Sequence, residues 1–294
     1  MKKVIFNTDI GGDIDDALCL AYLLSQNDCE LLGVTTCLGN PVDRAKIADA
    51  ICRVAGKDVP VYPGLDPKTP NGWYPTADGA AKLPKWDHKK EFEKDKAIDF
   101  MYSVLKKYPN EIYIVDAGSF SNIAALFTKY PDSPQLIKEL SVMAGVYDDE
   151  INNSDEMPFM NWNVWVDPMS ARIMFNSNAN IKVYGIEITR HLTMTSDELK
   201  DQSNTLLLKC ALDFGSEWVK DHVATFHDPL LATCLFNDEI CEYERGLVAV
   251  DLETKSEKKY GMTTFIKNDD GNCLLAVKAD RGKFFKEYFG ITQN

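Results

Sequence analysis

Val4-Ile5-Phe6-Asn7-Thr8-Asp9-Ile10-Gly11-Gly12-Asp13-Ile14-Asp15-Asp16-Ala17 is the stretch on which the fold turns. Three apolar residues enter it like a buried strand, and residues 15–26 leave it with helical apolar spacing. Gly11 and Gly12 allow the sharp backbone turn between the two. Asp9, Asp13, Asp15 and Asp16 place four carboxylates within eight residues. Such a cluster repels itself unless positive charge sits among it, and a divalent cation held by oxygen ligands meets that need. Helix capping with solvated acids explains any one of these aspartates more easily than all four together.

Outward from this stretch, β-rich and helical segments alternate. Residues 29–36 read as a second strand, 43–57 as a helix, 59–62 as a short strand, 91–107 as a helix and 111–116 as a strand. A helix follows Ala117-Gly118-Ser119-Phe120-Ser121-Asn122. Residues 140–145 and 181–188 read as strands, 196–220 as a long helix or a pair, and 245–252, 261–266 and 274–279 as further β segments. Residues 63–87, with five prolines and three glycines, read as a long surface loop. Alternation of this kind is the βαβ pattern of an α/β fold: a mainly parallel sheet with helices on both faces. No repeat, low-complexity tract or linker divides the chain, so residues 1–294 read as a single domain. In such folds ligands bind beyond the carboxyl ends of the strands, and the polar clusters at 9–16, 35–40, 116–122 and 148–163 all fall there.

Composition narrows the partners. The chain has 294 residues, 45% hydrophobic and 26% charged, enough for a sizeable core. A net charge of -13 argues against nucleic acid or an anionic membrane as partner, because both require a basic footprint. No apolar run approaches the ~18–20 residues of a membrane span, and the start lacks the apolar stretch of a signal peptide. The eight cysteines are scattered without a C-x-x-C pair and read as buried free thiols of a reducing, cytoplasmic compartment.

Two further motifs carry chemistry. In His227-Asp228-Pro229, the aspartate and proline make an ordinary helix start, but His227 beside an acid is placed to donate a proton near neutral pH. In Asn161-Trp162-Asn163, two amides flank an indole, a set that binds sugar hydroxyls and an apolar sugar face, or else forms a polar loop around a packed tryptophan. Asp167-Pro168 reads as a cap.

Taken in order, these pieces resemble the inosine-uridine preferring nucleoside hydrolase family. The resemblance rests on Asn7-Thr8-Asp9 with Asp15-Asp16-Ala17, on Val34-Thr35-Thr36-Cys37-Leu38-Gly39-Asn40, and on Gly118-Ser119-Phe120-Ser121-Asn122-Ile123-Ala124. It continues with Asn161-Trp162-Asn163 ahead of Val166-Asp167-Pro168, and with His227-Asp228-Pro229. It implies an open Rossmann-like core and hydrolysis of the N-glycosidic bond of ribonucleosides with a bound Ca²⁺. Residue by residue it implies that Asp9, Asp16, Asp228 and the carbonyl of Ser121 hold the metal. Asp9 would also take the proton of a metal-bound water, and His227 would protonate the departing base. Asp15, Asn40 and Asn163, with Asn161 among them, would bind ribose hydroxyls, and Trp162 would complete that surface. Family members are commonly dimers or tetramers, so a homo-oligomer is expected.

Three departures qualify the resemblance. Asn7 stands where the family usually has Asp. Five residues separate Asp9 from Asp15, where many members have three, so Asp13 competes with Asp15 for the ribose. Asn161 replaces a family Glu, which opens a second reading: the same fold and metal acting on another N-ribosyl compound. A Mg²⁺-dependent phosphohydrolase is a third reading, weakened by the absence of a basic or Walker-type phosphate loop. A non-catalytic metal- or sugar-binding protein is a fourth, opposed by intact Asp9, Asp16, Asp228 and His227. Trp73, Tyr74 and Trp86 either stack on the base or pack.

Overall fold

The computed structural model describes residues 1–69, 72, 74–148, 161–253 and 260–293. Strands β1 (Lys2–Thr8), β2 (Cys29–Thr36), β3 (Val61–Pro63), β4 (Ile112–Asp116), β5 (Ile137–Met143), β6 (Ile181–Tyr184), β9 (Cys241–Val250), β10 (Thr263–Lys267) and β11 (Cys273–Ala279) join one sheet. Its order is β10-β9-β11-β6-β5-β4-β1-β2-β3. Every pairing from β3 across to β11 is parallel, and only β9 and β10 run antiparallel at the far edge. A separate two-stranded ribbon pairs β7 (Thr193–Met194) with β8 (Ala224–Thr225).

The strand sequences match their places. The last five residues of β1 and all four of β6 are buried without alternation, as strands covered on both faces must be. The second half of β9 alternates exposed and buried, as suits an antiparallel edge with one wet face. On one side of the sheet, helices α1 (Asp15–Ser25), α2 (Pro41–Val54), His227–Phe236 and Arg281–Thr292 enclose an apolar cluster built on Leu18, Tyr22, Ile47, Phe226, Leu230 and Tyr288. On the other, α3 (Ala97–Lys107), α4 (Ser121–Lys129) and Pro168–Phe175 enclose Ile5, Met101, Ile114, Phe120 and Met174. Each fully buried side chain of this size stabilises the fold by roughly 1.5–3 kcal/mol. All eight cysteines are buried and free. No helix among the described residues is long and apolar enough to cross a membrane.

The six strands β3-β2-β1-β4-β5-β6 form the doubly wound order, in which the strand order reverses between β1 and β4. At that point the loops after neighbouring strands diverge to opposite faces and leave a crevice at the carboxyl edge.

Three segments differ from the sequence reading. Strand β6 stops at Tyr184, and Ile186–Thr189 is a short helix, so the apolar run 181–188 is a strand followed by a helical turn. Of the two readings of 196–220, the pair of helices holds, with a further turn after them. The stretch breaks into Ser196–Gln202, Leu206–Phe214 and a 3-10 turn at Trp218–Lys220. Thr195 caps the first piece through a reciprocal box with Glu198, and Thr205 caps the second. The helix expected over 91–107 begins only at Ala97, and the 63–87 loop contains a 3-10 helix at Asp78–Lys85.

Candidate active site

The loop after β1 enters the crevice and turns at Gly11, whose φ is 108°. A Cβ there would lie 2.6 Å from Cδ1 of Ile47, and the positive φ is one that side chains rarely adopt, so glycine is favoured at this turn. The Thr8 hydroxyl ties the two ends of the loop by donating to Asp16 and accepting from the Ile10 N–H. Asp15 and Asp16 form the first turn of α1, and both are buried. Their carboxylates and that of Asp13 lie within 4.8 Å of one another, at metal-ligand spacing.

Burial drives the electrostatics. Desolvation raises the Asp15, Asp16 and Asp228 carboxyls well above the usual range, and their mutual repulsion and Asp13 add to it. Asp9 is raised to about 6 by the same burial, with Arg44 pulling it down and Asp13 pushing it up. Oxygen-only donors under uncompensated negative charge fit a hard divalent cation, which would relieve all of these penalties together.

Arg44 is the residue that sequence reasoning missed. It lies in the first turn of α2, is 1% exposed, and shares the buried face with Ile47, Ala48 and Ile51. Its Nε donates to the carbonyls of Leu38 and Gly39, and its Nη1 donates to the Ile10 carbonyl at 3.0 Å. One guanidinium therefore pins the loop after β1 to the loop after β2. The second loop needs pinning, because Leu38, Gly39 and Asn40 have φ of 58°, 59° and 64° in succession. A Cβ on Gly39 would lie 2.0 Å from the Pro75 carbonyl oxygen. A charged residue on the apolar stripe of an amphipathic helix is the sequence signal that marks Arg44.

After β5 and the undescribed residues 149–160, Asn161 caps the helix Trp162–Val166, its Oδ1 accepting from the Val164 N–H at 3.1 Å. Asn163 donates its Nδ2 to the carbonyls of Ala117 (2.9 Å) and Met143 (3.1 Å). These partners fix both amide orientations. Asn161 is left with its NH₂ to donate and Asn163 with its Oδ1 to accept, which are the two halves of hydroxyl recognition. Trp162 is 38% exposed and its ring leans on Trp165 at 5.1 Å. Asp167 is a cap, accepting from the Ser170 N–H. The helix His227–Phe236 starts earlier than expected, so Asp228 lies inside its first turn instead of capping it. Asp228 donates its N–H to Asp15 at 3.4 Å. Burial pulls the His227 imidazole below its usual range, with Asp13 opposing.

Asp9, Asp15, Asp16, Asn161, Trp162, Asn163, His227 and Asp228 all line one cavity of about 500 Å³, together with Asp13, Arg44, Asp78 and Trp218. Two expected residues do not line it. Asn40 turns its side chain to Asp43, accepting from that residue's N–H as the cap of α2. Ser121 is buried at the start of α4 with its hydroxyl 3.0 Å from that of Ser119. Of the three loop aromatics, Trp86 packs near Phe214 and donates to Asp213 at 2.9 Å. The Tyr74 hydroxyl accepts from the Asn40 N–H and donates to Asp66. Trp73 lies outside the described residues.

Beneath the site, Asn7 donates to Asp116 at 2.7 Å and accepts from Thr35 and Asn122 at 2.8 Å each. An Asp at position 7 would set two carboxylates against each other. The second oxygen of Asp116 has no hydrogen-bond partner, and burial raises this carboxyl well above its usual range.

A doubly wound sheet with an acidic, amide-lined crevice at its switch point places the protein among the α/β folds that bind ligands at that edge. The sequence model for the inosine-uridine preferring nucleoside hydrolases matches residues 4–286, and the chain belongs to that family. It is 28% identical over 275 residues to uridine nucleosidase 1 of Arabidopsis thaliana, covering 86% of this chain and 79% of the relative. It is 26% identical to an inosine-uridine preferring nucleoside hydrolase of Leishmania major, covering 97% and 95%. Among solved structures, a purine-preferring ribonucleoside hydrolase from Gardnerella vaginalis superposes with a TM-score of 0.81 at 24% identity, covering 99% and 98% of the two chains. The chain is an enzyme that hydrolyses nucleosides.

Proposed function

We propose that this enzyme cleaves the N-glycosidic bond of ribonucleosides to ribose and free base with Ca²⁺ in the acidic cluster, Asp9 as general base and His227 as proton donor. The observation that carries the reading is the convergence of Asp9, Asp16, Asp228, His227, Asn161 and Asn163, from three separate segments, on one cavity. Asp9, Asp16 and Asp228, with the Ser121 carbonyl, would hold the ion, and Asp13 lies at ligand spacing from Asp15 and Asp16. When bound, Ca²⁺ supplies a Lewis acid that makes a water molecule more acidic. Asp9 removes the proton from the attacking water. Asp15, Asn163 and Asn161 orient the ribose hydroxyls, donor to acceptor and acceptor to donor, and Trp162 covers an apolar face. As the bond to the base lengthens, positive charge develops on the ribose ring, and the surrounding carboxylates stabilise it. His227 delivers a proton to the departing base.

A second reading, hydrolysis of another N-ribosyl compound, rests on Asn161. Its side-chain oxygen is committed to capping, so it offers only a neutral donor where the family resemblance implies a carboxylate. Ribose release from a panel of purine and pyrimidine nucleosides, with Ca²⁺ and with chelator, tests both. Release that the chelator abolishes is the expected result. No ribose from any nucleoside would sink the first reading, and phosphate release from a phosphoester panel would replace it with a phosphohydrolase.

A further inference from the structure

The short helix Ile186–Thr189, absent from the sequence reading, ends on a buried side chain in contact with the site. The Thr189 hydroxyl is 0% exposed and lies 2.6 Å from Nδ1 of His227. It also lies 3.2 Å from the Gly185 carbonyl oxygen and 3.4 Å from that of Ile186. A hydroxyl has one proton and two lone pairs. The carbonyls can only accept, and donation to the carbonyl four residues back is the usual habit of a helical threonine. The hydroxyl proton therefore goes to the backbone, and a lone pair is left to accept from Nδ1–H of the histidine. With Nδ1 held in this way, Nε2 is the nitrogen left for the cavity that His227 lines.

We infer that Thr189 is a positioning residue that locks His227 with its proton on Nδ1, so that Nε2 is the atom through which the proton passes to the leaving base. The inference rests on the proton-donor role proposed for His227. Its proton balance closes. The donor is the imidazolium form, whose second proton Nε2 takes up from solvent: the C–N electron pair goes to the base, the base takes that proton from Nε2, and Nε2 keeps the lone pair. Nδ1–H and the Thr189 hydroxyl are unchanged, and Nε2 is reprotonated from solvent. The opposite arrangement, Thr189 donating to Nδ1, puts the only ring proton of neutral His227 on Nε2. Losing it would leave an imidazolate, too basic to form in this way. The bond thus selects the neutral form that donation from Nε2 leaves behind and that Nε2 can reprotonate.

The full-length protein with Ca²⁺, labelled with ¹⁵N at histidine, tests this directly. Long-range proton–nitrogen spectra at pH 8 read the tautomer of His227, assigned by its loss in His227→Asn. The expected spectrum has a protonated-type Nδ1 and an acceptor-type Nε2. Thr189→Val, equal in shape but without the hydroxyl, shifts the ring toward Nε2–H. It slows inosine hydrolysis about tenfold, the worth of one hydrogen bond to a charged group. Turnover of p-nitrophenyl riboside, whose leaving group needs no proton, is unchanged. Thr189→Ser keeps the wild-type spectrum and rate. A wild-type ring protonated on Nε2 overturns the inference, as does a Val variant that keeps Nδ1–H or loses both substrates equally. If the Val variant does not fold, the wild-type and Ser spectra decide alone. Because the spectra need no turnover, a failure of the nucleosidase reading and a failure of the tautomer lock are told apart.

Discussion

Replacing Arg44 by methionine removes the guanidinium and keeps most of the stem. Three carbonyl oxygens, those of Ile10, Leu38 and Gly39, lose their donor in a region closed to water. Each buried acceptor left unpaired costs about 1–3 kcal/mol, which puts the destabilisation at about 3 kcal/mol even at the low end. A second contribution depends on the metal. Arg44 holds down the Asp9 and Asp16 carboxyls, so without it the acidic cluster is more strained when no cation is present. Urea unfolding of wild type and Arg44→Met, each with saturating Ca²⁺ and with chelator, measures both contributions at equal m-value. The expected result is a loss of about 3 kcal/mol with Ca²⁺ and a larger loss with chelator. Arg44→Lys recovers only part, because an ammonium cannot match the planar fork. A methionine variant within about 1 kcal/mol of wild type in both conditions would refute the view that Arg44 joins the two loops. Equal losses with and without Ca²⁺ would refute its electrostatic part.

Two further predictions concern pH. The raised carboxyls of the cation-free site would make the proposed Ca²⁺ compete with protons, so its affinity is expected to fall as pH drops through about 6, the level to which Asp9 is raised. The stability linked to Asp9 in the cation-free protein has the complementary sign, full below the unfolded value and lost as pH rises through about 6. Calorimetric titration between pH 5 and 8 checks the first, and an affinity flat across that range would contradict it. Asp116, also raised, contributes stability below its unfolded value that is lost as pH rises above it. Asp116→Asn removes that slope, so the variant gains on wild type as pH rises above the unfolded value, by up to about 1.4 kcal/mol per pH unit. A constant difference in melting temperature between the two would count against it.

Where local pattern and tertiary place agreed, the sequence was readable. Strand β1, its glycine turn and the start of α1 announce themselves because burial on both faces, a positive-φ turn and an acidic helix start each leave a distinct local mark. The convergence of 9–16 and 161–163 followed from the rule that parallel strands deliver their loops to one edge, whereas 227–228 follows the two-stranded ribbon and was legible only through the family resemblance. Arg44 and Thr189 escaped because their roles lie in what they touch. An arginine in a helix and a threonine at the end of an apolar run are ordinary until the carbonyls of Leu38 and Gly39, or Nδ1 of His227, are beside them. The choice between one helix and a pair over 196–220 was legible and left open. Thr195 with Glu198 spells a capping box, and Thr205 sits one residue ahead of the next apolar run.

The charge lining the cavity bears on which reactions it can favour. Asp9, Asp13, Asp15, Asp16, Asp78 and Asp228 face it, against Arg44 as the one arginine or lysine among the described lining residues. A bound divalent cation still leaves the lining acidic when these groups are ionised. Substrates bearing phosphate would meet that excess as repulsion, and Arg44 has three of its hydrogen bonds already committed to carbonyls. A neutral nucleoside meets no such barrier. As its glycosidic bond breaks, the ribose ring gains positive charge that the same excess attracts, so the field strengthens its hold between ground state and transition state. The lengthened loop that carries Asp13 adds to this field. It moves the site further toward substrates that enter uncharged and become cationic on the way to products.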